Sequence, residues 1–432
     1  MKRSGLLGGA PLFPIAMICG LNMVAQLDRQ AFAVLTPNIR DTFHVTNATI
    51  GGIVGAATVV MVLAGLPAAW LAERHSRRLI VASAAMLWGG VACLTGVAAG
   101  IPILLGFRIL SGLAQSPLLP VVPTLVADYY IPEHRMKAFG LSGMATPAGT
   151  VIGPLLAGVA AALGGWRVAF LVAGIPSIAL GVLALRLRDP HRGGTERLEG
   201  QETAHEPALP LGQAFRLILS NATVRLIFVG LAVMGFVLLG IGPFVAVYLR
   251  DIWHLSDSSR GGLASIMALA GLVALPLGGV LGTRLAHRSR ALGLYLTAGG
   301  LTVFGLLYPL AIYAPSLLIF SILGWVCMFA AQIGIAPAYA IFTDILPPRL
   351  RSTAFAMGGI FAMLFAGLVA PALVGWMADV AGIRFALACV SPSAILAGAA
   401  FLASARHVPY ELERLALGKA LAAEPAVEPS IV

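Results

Sequence analysis

Three charged residues stand inside long apolar segments of this sequence: Asp28, Arg29 and Arg108. A charge within a membrane-spanning segment costs at least about 2.5–3.5 kcal/mol on insertion scales, so charges that persist there usually face a cavity or a partner. Arg29 or Arg108 could bind a carboxylate or phosphate group through parallel hydrogen bonds, and Asp28 could exchange a proton. The alternative is a structural ion pair between Asp28 and Arg108, or an Asp28 that reaches the membrane surface.

Further polar residues share a helical face with each arginine. The two stripes predicted to line one substrate cavity are Asn22, Gln26 and Arg29, and Arg108, Ser111 and Gln115. Gln332 and Tyr339, seven residues apart, form a weaker stripe that could complete the cavity from the other half of the chain. A single glutamine is, however, more often a hydrogen-bonding contact between helices.

The pattern of nucleophiles and metal ligands is not typical of an enzyme. The four cysteines lack CxxC or CxxH spacing, and none of the eight histidines lies inside a predicted span. An intramembrane enzyme would need a nucleophile and a base that meet within the bilayer. We therefore predict no metal site, no cofactor and no enzymatic activity.

The segments that carry the charged residues are predicted to be membrane-spanning helices. The 432 residues are 59% hydrophobic and 11% charged, whereas soluble domains contain about 25% charged residues. About 20 apolar residues cross a bilayer as a helix, and continuous rather than alternating apolar runs favour helices over a barrel. Twelve runs qualify: 13–36, 48–71, 79–98, 101–127, 137–163, 166–187, 223–249, 261–285, 290–313, 315–343, 353–378 and 383–405.

The basic residues predict the orientation of these spans. With both termini in the cytoplasm, 21 of the 28 Lys and Arg lie on the cytoplasmic side, five lie outside and two lie within spans. This asymmetry is typical of membrane proteins. The net charge of +10 therefore reports orientation and not nucleic-acid binding, and we predict a multi-pass protein of the plasma membrane, which in a bacterium is the inner membrane.

The two halves of the chain resemble each other. Residues 128–139 and 344–355 share an Asp, a Pro, an Arg and a final Ala-Phe at a constant offset of 216, and Pro154 matches Pro371 at an offset of 217. Parallel six-helix repeats around a site at the membrane midplane are typical of secondary transporters. The predicted division is an amino-terminal bundle (1–187), a cytoplasmic linker (188–222), a carboxy-terminal bundle (223–405) and a cytoplasmic tail (406–432), in which 410–423 forms a short surface helix.

The segment between spans 2 and 3, residues 69–78, resembles the G-x-L-a-D-r-x-G-R signature of the major facilitator superfamily. It departs from that pattern at Glu73 and Ser76, and its repeat at 279–284 has Thr283 at the acidic position. The resemblance implies a gating motif formed by charged residues of both halves: Glu73, Arg74, Arg77, Arg78, Asp128, Arg135, Arg284, Asp344 and Arg351.

Within the superfamily, Asp28-Arg29-Gln30 and the Arg108 to Gln115 segment are similar to spinster-type lipid transporters and to anion:cation symporters. The resemblance implies a monomeric secondary transporter that moves a small organic or amphiphilic anion through the bilayer by alternating access, with protons as partners through Asp28. These families carry Glu where this chain has Gln115, so a two-carboxylate proton relay is not implied.

Several functions stay open at this stage. Spinster-like segments favour lysolipid-like cargo, whereas Arg29 beside Asp28 favours small carboxylates. The Gly149 to Gly158 run resembles an antiporter signature and so suggests drug or metabolite efflux, although small residues at this spacing more often serve close helix packing. A membrane sensor with the same fold would bind a ligand without flux.

Overall fold

The computed structural model describes residues 11–189, 211–346 and 348–423, and these ranges form helices joined by short connections. The helices are α1 (Leu12–Phe43), α2 (Asn47–Arg74), α3 (Arg77–Thr95), α4 (Ile101–Gln115), α5 (Leu118–Tyr129), α6 (Pro132–Gly164), α7 (Trp166–Ala184), α8 (Leu211–Ser220), α9 (Ala222–Asp251), α10 (Asp257–Ala286), α11 (Leu292–Ile312), α12 (Leu317–Ile333), α13 (Ile335–Asp344), α14 (Pro348–Leu364), α15 (Ala370–Ala381), α16 (Ile383–Ala388) and α17 (Ser391–Ala423). A π-helical segment, Phe365–Val369, joins α14 to α15.

The predicted all-α membrane fold is confirmed. Eleven helical segments of the described ranges are long and apolar enough to cross a membrane. The remaining span is α1, whose 32 residues correspond to about 48 Å at 1.5 Å per residue. Its central polar stripe makes α1 less apolar than the other spans. Each predicted span therefore coincides with one helix or with two consecutive helices.

Some boundaries differ from the predictions. Span 4 is divided into α4 and α5 at Ser116 and Pro117, because proline lacks the N–H that would continue the helix. The linker contains a helix, α8, that packs on α9 and α14, while residues 190–210 of the linker lie outside the described residues. The predicted separate helix at 410–423 is instead the end of the continuous helix α17, and the rest of the tail, 424–432, is likewise outside the described part.

Buried apolar side chains cluster within each half of the chain. One cluster extends from Ile218 to Val408, and the three others lie between Ile15 and Leu187. Most buried apolar side chains therefore pack against helices of the same half. We refer to residues 11–189 as the first half and to residues 211–423 as the second half.

The two halves meet chiefly through α2 with α15 and α6 with α10. Glycines permit these helices to approach closely. A methyl group at Gly158 would lie 2.5 Å from the carbonyl oxygen of Asp257, and one at Gly375 would lie 2.4 Å from that of Asn47. The Gly-Pro run of α6 and its repeat on α15 thus serve helix packing between the halves.

Candidate functional site

Asp28 and Arg108 form a buried ion pair between α1 and α4. Arg108 Nη2 lies 3.1 Å from Asp28 Oδ1, and Arg108 Nη1 lies 3.4 Å from Asp28 Oδ2. Only 1% of Asp28 and 6% of Arg108 are exposed. The pair that the sequence offered as a structural alternative is therefore present, and it neutralises both charges.

Residues of α3 and α7 complete the surroundings of this pair. Trp88 donates its indole N–H to Asp28 Oδ2 at 3.4 Å, and Arg108 Nη2 donates to the hydroxyl of Thr95 at 3.1 Å. The Arg108 guanidinium also lies 5.2 Å from the ring centroids of Phe32 and Phe170, within the range of cation–π attraction. Sequence reasoning missed these residues, because nothing in helical spacing shows which neighbouring helix faces Arg108.

Arg29, the next residue after Asp28, has a different environment. Its Nη2 donates to the side-chain oxygen of Gln115 at 3.3 Å and contacts the sulfur of Met61 at 3.6 Å. The amide of Gln115 in turn donates to the Ser111 hydroxyl at 3.1 Å. In the described part of the chain, no carboxylate lies within 4 Å of the Arg29 guanidinium. Arg29 therefore keeps an uncompensated positive charge.

These side chains line a cavity of about 280 Å³ between the two halves. The predicted residues that reach it are Gln26, Asp28, Arg29, Arg108, Ser111 and Gln115. The second half closes it with apolar residues of α9 and α14, such as Leu238 and Met363. Both halves thus contribute to one cavity, with the charges on the first half and mostly apolar walls elsewhere.

A second cavity of about 260 Å³ lies between α1, α5 and α6. Gln26, Arg29 and Gln115 line both cavities, whereas Asn22 lines only the second. Asn22 donates to the Ser142 hydroxyl at 3.1 Å. The three shared residues therefore stand where the two cavities meet.

Gln332 and Tyr339 line neither of these two cavities. Gln332 lies against Gly271 of α10, as expected for a contact between helices, and the Tyr339 ring lies 5.7 Å from that of Phe355. The weaker stripe of the second half is thus not brought to the site.

The gating-motif residues lie at the end of the molecule where α2 ends and α3 begins. Arg77 is 5% exposed; its Nη1 pairs with Asp128 at 2.5 Å, and its backbone N–H donates to Asp189 at 3.0 Å. The Arg74 guanidinium lies 4.1 Å from the Trp70 ring centroid. The motif therefore ties α3 to α5 and to the start of the linker.

Among the described residues, the second copy of the motif makes fewer polar contacts. Asp344 pairs with Arg290, which the sequence analysis had not singled out. Thr283 donates to a carbonyl of its own helix, Arg284 is exposed and Arg78 is partly buried. The side chains of Glu73, Arg135 and Arg351 lie outside the described part of the chain.

Comparisons with known proteins agree with this architecture. A model of the Major Facilitator Superfamily matches residues 18–299 and 227–428. Protein spinster of Drosophila melanogaster is 26% identical over 396 residues, which cover 88% of this chain and 64% of the fly protein. The probable sulfoacetate transporter SauU of Cupriavidus necator is 25% identical over 381 residues, which cover 85% of this chain and 87% of that protein.

A solved structure shows the same fold. The crystal structure of a bacterial homologue of the human lysosomal transporter Spinster, in an inward-facing and unoccupied conformation, matches with a TM-score of 0.85. The two chains are 21% identical, and the match covers 93% of this chain and 98% of that one.

Proposed function

The chain belongs to the Major Facilitator Superfamily and is a multi-pass membrane transporter, not an enzyme, and we propose that it moves a small or amphiphilic organic anion by alternating access. The observation that carries this proposal is the uncompensated charge of Arg29. Asp28, Arg29 and Arg108 are the charged residues that line the 280 Å³ cavity. Since Asp28 pairs with Arg108, the cavity holds one positive charge in excess.

An excess positive charge in an apolar cavity favours a monovalent anion. The acid group binds Arg29 and displaces the amide oxygen of Gln115, because a hydrogen bond between two charged groups is stronger than one to a neutral acceptor. The apolar walls, among them Phe32, Met61 and Leu238, accept the body of the substrate. A carboxylate, a sulfonate and a phosphate diester each carry one negative charge and share this chemistry, and the relative named for sulfoacetate supports it.

Asp28 is the residue proposed to bind the coupled proton. When Asp28 is protonated, Arg108 loses its counter-charge, and the cavity becomes more attractive to an anion by one unit of charge. A bound monoanion then restores the net charge of the empty cavity. Proton and anion therefore bind more strongly together than separately, which is the coupling that a symporter needs.

The two-bundle division supports alternating access. The cavity lies between the halves, so rocking of one half against the other would expose it to one side and then the other. Arg77 and Asp128, at the end remote from the α1–α2 connection, are proposed, as part of the gating motif, to hold α3 and α5 together while the halves rock. The substrate-contacting set is proposed to be Gln26, Arg29, Ser111 and Gln115, with Asn22 in the adjoining cavity.

The proposal is tested by ligand-induced stabilisation of the purified protein. Short carboxylates, sulfonates and lysophospholipids are compared with neutral and cationic compounds of similar size, because a ligand that binds only the folded state raises its stability by RT ln(1 + [L]/Kd). Arg29→Gln removes a hydrogen bond to a charged group worth about 1.5–3 kcal/mol. We therefore expect an affinity for the anion lower by about 10- to 150-fold.

Arg167→Gln is the matched control, since this exposed arginine stacks on Trp166 at 4.5 Å and lines neither cavity. It should bind the anion like the wild type. Equal stabilisation of wild type and Arg29→Gln by every anion would refute the anion site, and stabilisation by neutral or cationic compounds alone would favour the efflux alternative. Binding without uptake into proteoliposomes would instead indicate a sensor.

A further inference from the structure

The two halves are joined by polar contacts at one end of the molecule, the end where α1 ends and α2 begins, which we call the closed end. Asn38 donates to Asp257, and Arg260 donates to Asn38, at 2.9 and 2.7 Å. Asp379 accepts hydrogen bonds from the side chain and the backbone N–H of Asn47 at 2.8 and 2.9 Å. Every hydrogen bond or ion pair described between the halves lies at this end.

Four charged residues at the closed end exchange partners between the halves; we call Arg40, Asp41, Arg250 and Asp251 the Arg-Asp quartet. Arg40 binds Asp251 through two parallel hydrogen bonds of 2.8 and 2.9 Å. In return Arg250 pairs with Asp41. Arg40 Nε also lies 3.3 Å from Asp41 of its own helix, so the four side chains form one continuous network with no net charge.

The quartet arises from a second sequence repeat between the halves. Residues 39–47, IRDTFHVTN, align with residues 249–257, LRDIWHLSD, at a constant offset of 210. His44 and His254 of these segments have the same left-handed backbone, with φ of 50° and 52°. Each half therefore ends its first membrane-spanning helix, α1 or α9, with the same Arg-Asp pair and the same turn, and the pseudo-twofold relation of the halves brings the two pairs together.

The opposite end is organised differently. There Arg77 pairs with Asp128 and Asp189 within the first half, and Arg290 pairs with Asp344 within the second half. In the described residues these contacts stabilise each half separately. The charges at the closed end are the ones that must separate if the halves move apart there.

We propose that the Arg-Asp quartet is a reversible latch that sets how often the transporter opens at its closed end. The quartet residues are positioning residues, because they touch no substrate and act through the relative orientation of the halves. Their side chains are between 20% and 43% exposed, and ion pairs between partly exposed charges are weak enough to break in each cycle. The two parallel hydrogen bonds between Arg40 and Asp251, together with the shared network, define one relative orientation of the halves in the closed state.

The latch rests on the proposed alternating access, but its test needs no substrate. Ala33 lines the 280 Å³ cavity, and Ala33→Cys, in a background whose four cysteines are replaced by alanine, reports access to that cavity. An impermeant maleimide is applied to intact cells and, separately, to inverted vesicles. Arg40→Asp places like charges opposite each other, so labelling from the closed-end face should increase about fivefold or more as the two-state equilibrium shifts.

Asp251→Arg should have the same effect as Arg40→Asp. The double variant restores opposite charges across both cross-half contacts and should return labelling to within about twofold of the wild type. Arg167→Asp, which makes the same charge change near the closed end without a described cross-half contact, should leave labelling unchanged.

If gel filtration in detergent shows that a charge-reversal variant does not fold, Arg40→Gln or Asp251→Asn is used in its place. These neutral variants should increase labelling to a smaller extent. Unchanged labelling in folded single variants, or a double variant that labels as strongly as the singles, would overturn the latch. If the quartet variants change labelling as predicted but the protein binds no anion, the proposed substrate is contradicted and the latch is not.

Discussion

Two neighbouring residues of α1 have opposite electrostatic surroundings. Asp28 is enclosed by Arg108 and Trp88, whereas Arg29 faces the cavity and contacts the neutral amide of Gln115. Placing the acid and the anion-binding base on adjacent residues, about 100° apart around the helix, lets one bind a proton while the other binds substrate. In the proposed mechanism, protonation of Asp28 affects substrate binding because it leaves Arg108 without its counter-charge.

The first prediction at this scale separates coupling from stability. Asp28→Asn leaves Arg108 buried without a counter-charge, which typically costs about 3–5 kcal/mol, so we expect a large loss of thermal stability in detergent. Asp28→Asn combined with Arg108→Gln removes both charges and should recover most of that loss. Neither variant should accumulate anion along a proton gradient in proteoliposomes, although the double variant should still exchange it.

Two results would contradict this prediction. Gradient-driven accumulation by the double variant at the wild-type rate would show that Asp28 is not the coupling acid. A single Asp28→Asn variant as stable as the wild type would show that the ion pair does not contribute to the fold.

At the scale of helices, close packing determines which surfaces can move against each other. The interface between α6 and α10 brings Gly158 so near to Asp257 that a side chain has no room. On the other interface, the π-helical segment Phe365–Val369 places Gly367 against Thr58, which also lines the cavity. Single π-helical turns within α-helices often occur at functional sites.

The prediction at this scale compares two glycines of the same helix. Gly158→Ala inserts a methyl group 2.5 Å from a backbone oxygen of the other half, and overpacking of this kind costs about 1–3 kcal/mol. Gly143→Ala meets nothing within 4 Å and should be neutral or slightly stabilising, because alanine is the better helix former. Thermal unfolding of both variants in detergent checks the difference, and equal stabilities would show that α6 and α10 are not tightly packed.

At the scale of the whole molecule, an even number of spans places both termini on one side of the membrane. The distribution of basic residues predicts that this side is the cytoplasm, and the closed end would then face the outside. Contacts between the halves at the outer end would favour access to the cavity from the cytoplasm, the side from which an exported substrate is loaded and an imported one is released.

Orientation is tested with two exposed loop positions. In the cysteine-free background, we expect Tyr313→Cys, between α11 and α12, to react with an impermeant maleimide in intact cells. Ser289→Cys, between α10 and α11, should react only after permeabilisation. The reverse pattern would place the termini outside and assign the closed end to the cytoplasm.

Much of the architecture follows from the sequence alone. Apolar length determined the spans, because the bilayer sets one thickness for every crossing helix. Helical spacing groups Gln26 with Arg29 and Arg108 with Ser111 and Gln115, since residues three, four and seven apart share a face, and all five line one cavity. What spacing does not determine is the helix that lies opposite, and for this reason Gln332 and Tyr339 were assigned to a cavity that they do not line.

Only the tertiary structure decided how the charges pair. Arg29 and Arg108 are both arginines in apolar segments, and both were candidates to hold the anion, while Arg108 was also a candidate to neutralise Asp28. Thr95 and Trp88 of α3 and Phe170 of α7 surround the pair, so that Arg108 turns toward Asp28. Arg29 turns into the cavity. The Arg-Asp quartet could not be predicted for the same reason. Each Arg-Asp dipeptide by itself resembles an ordinary helix end, and only the pseudo-twofold packing of the halves shows that the two lie opposite each other.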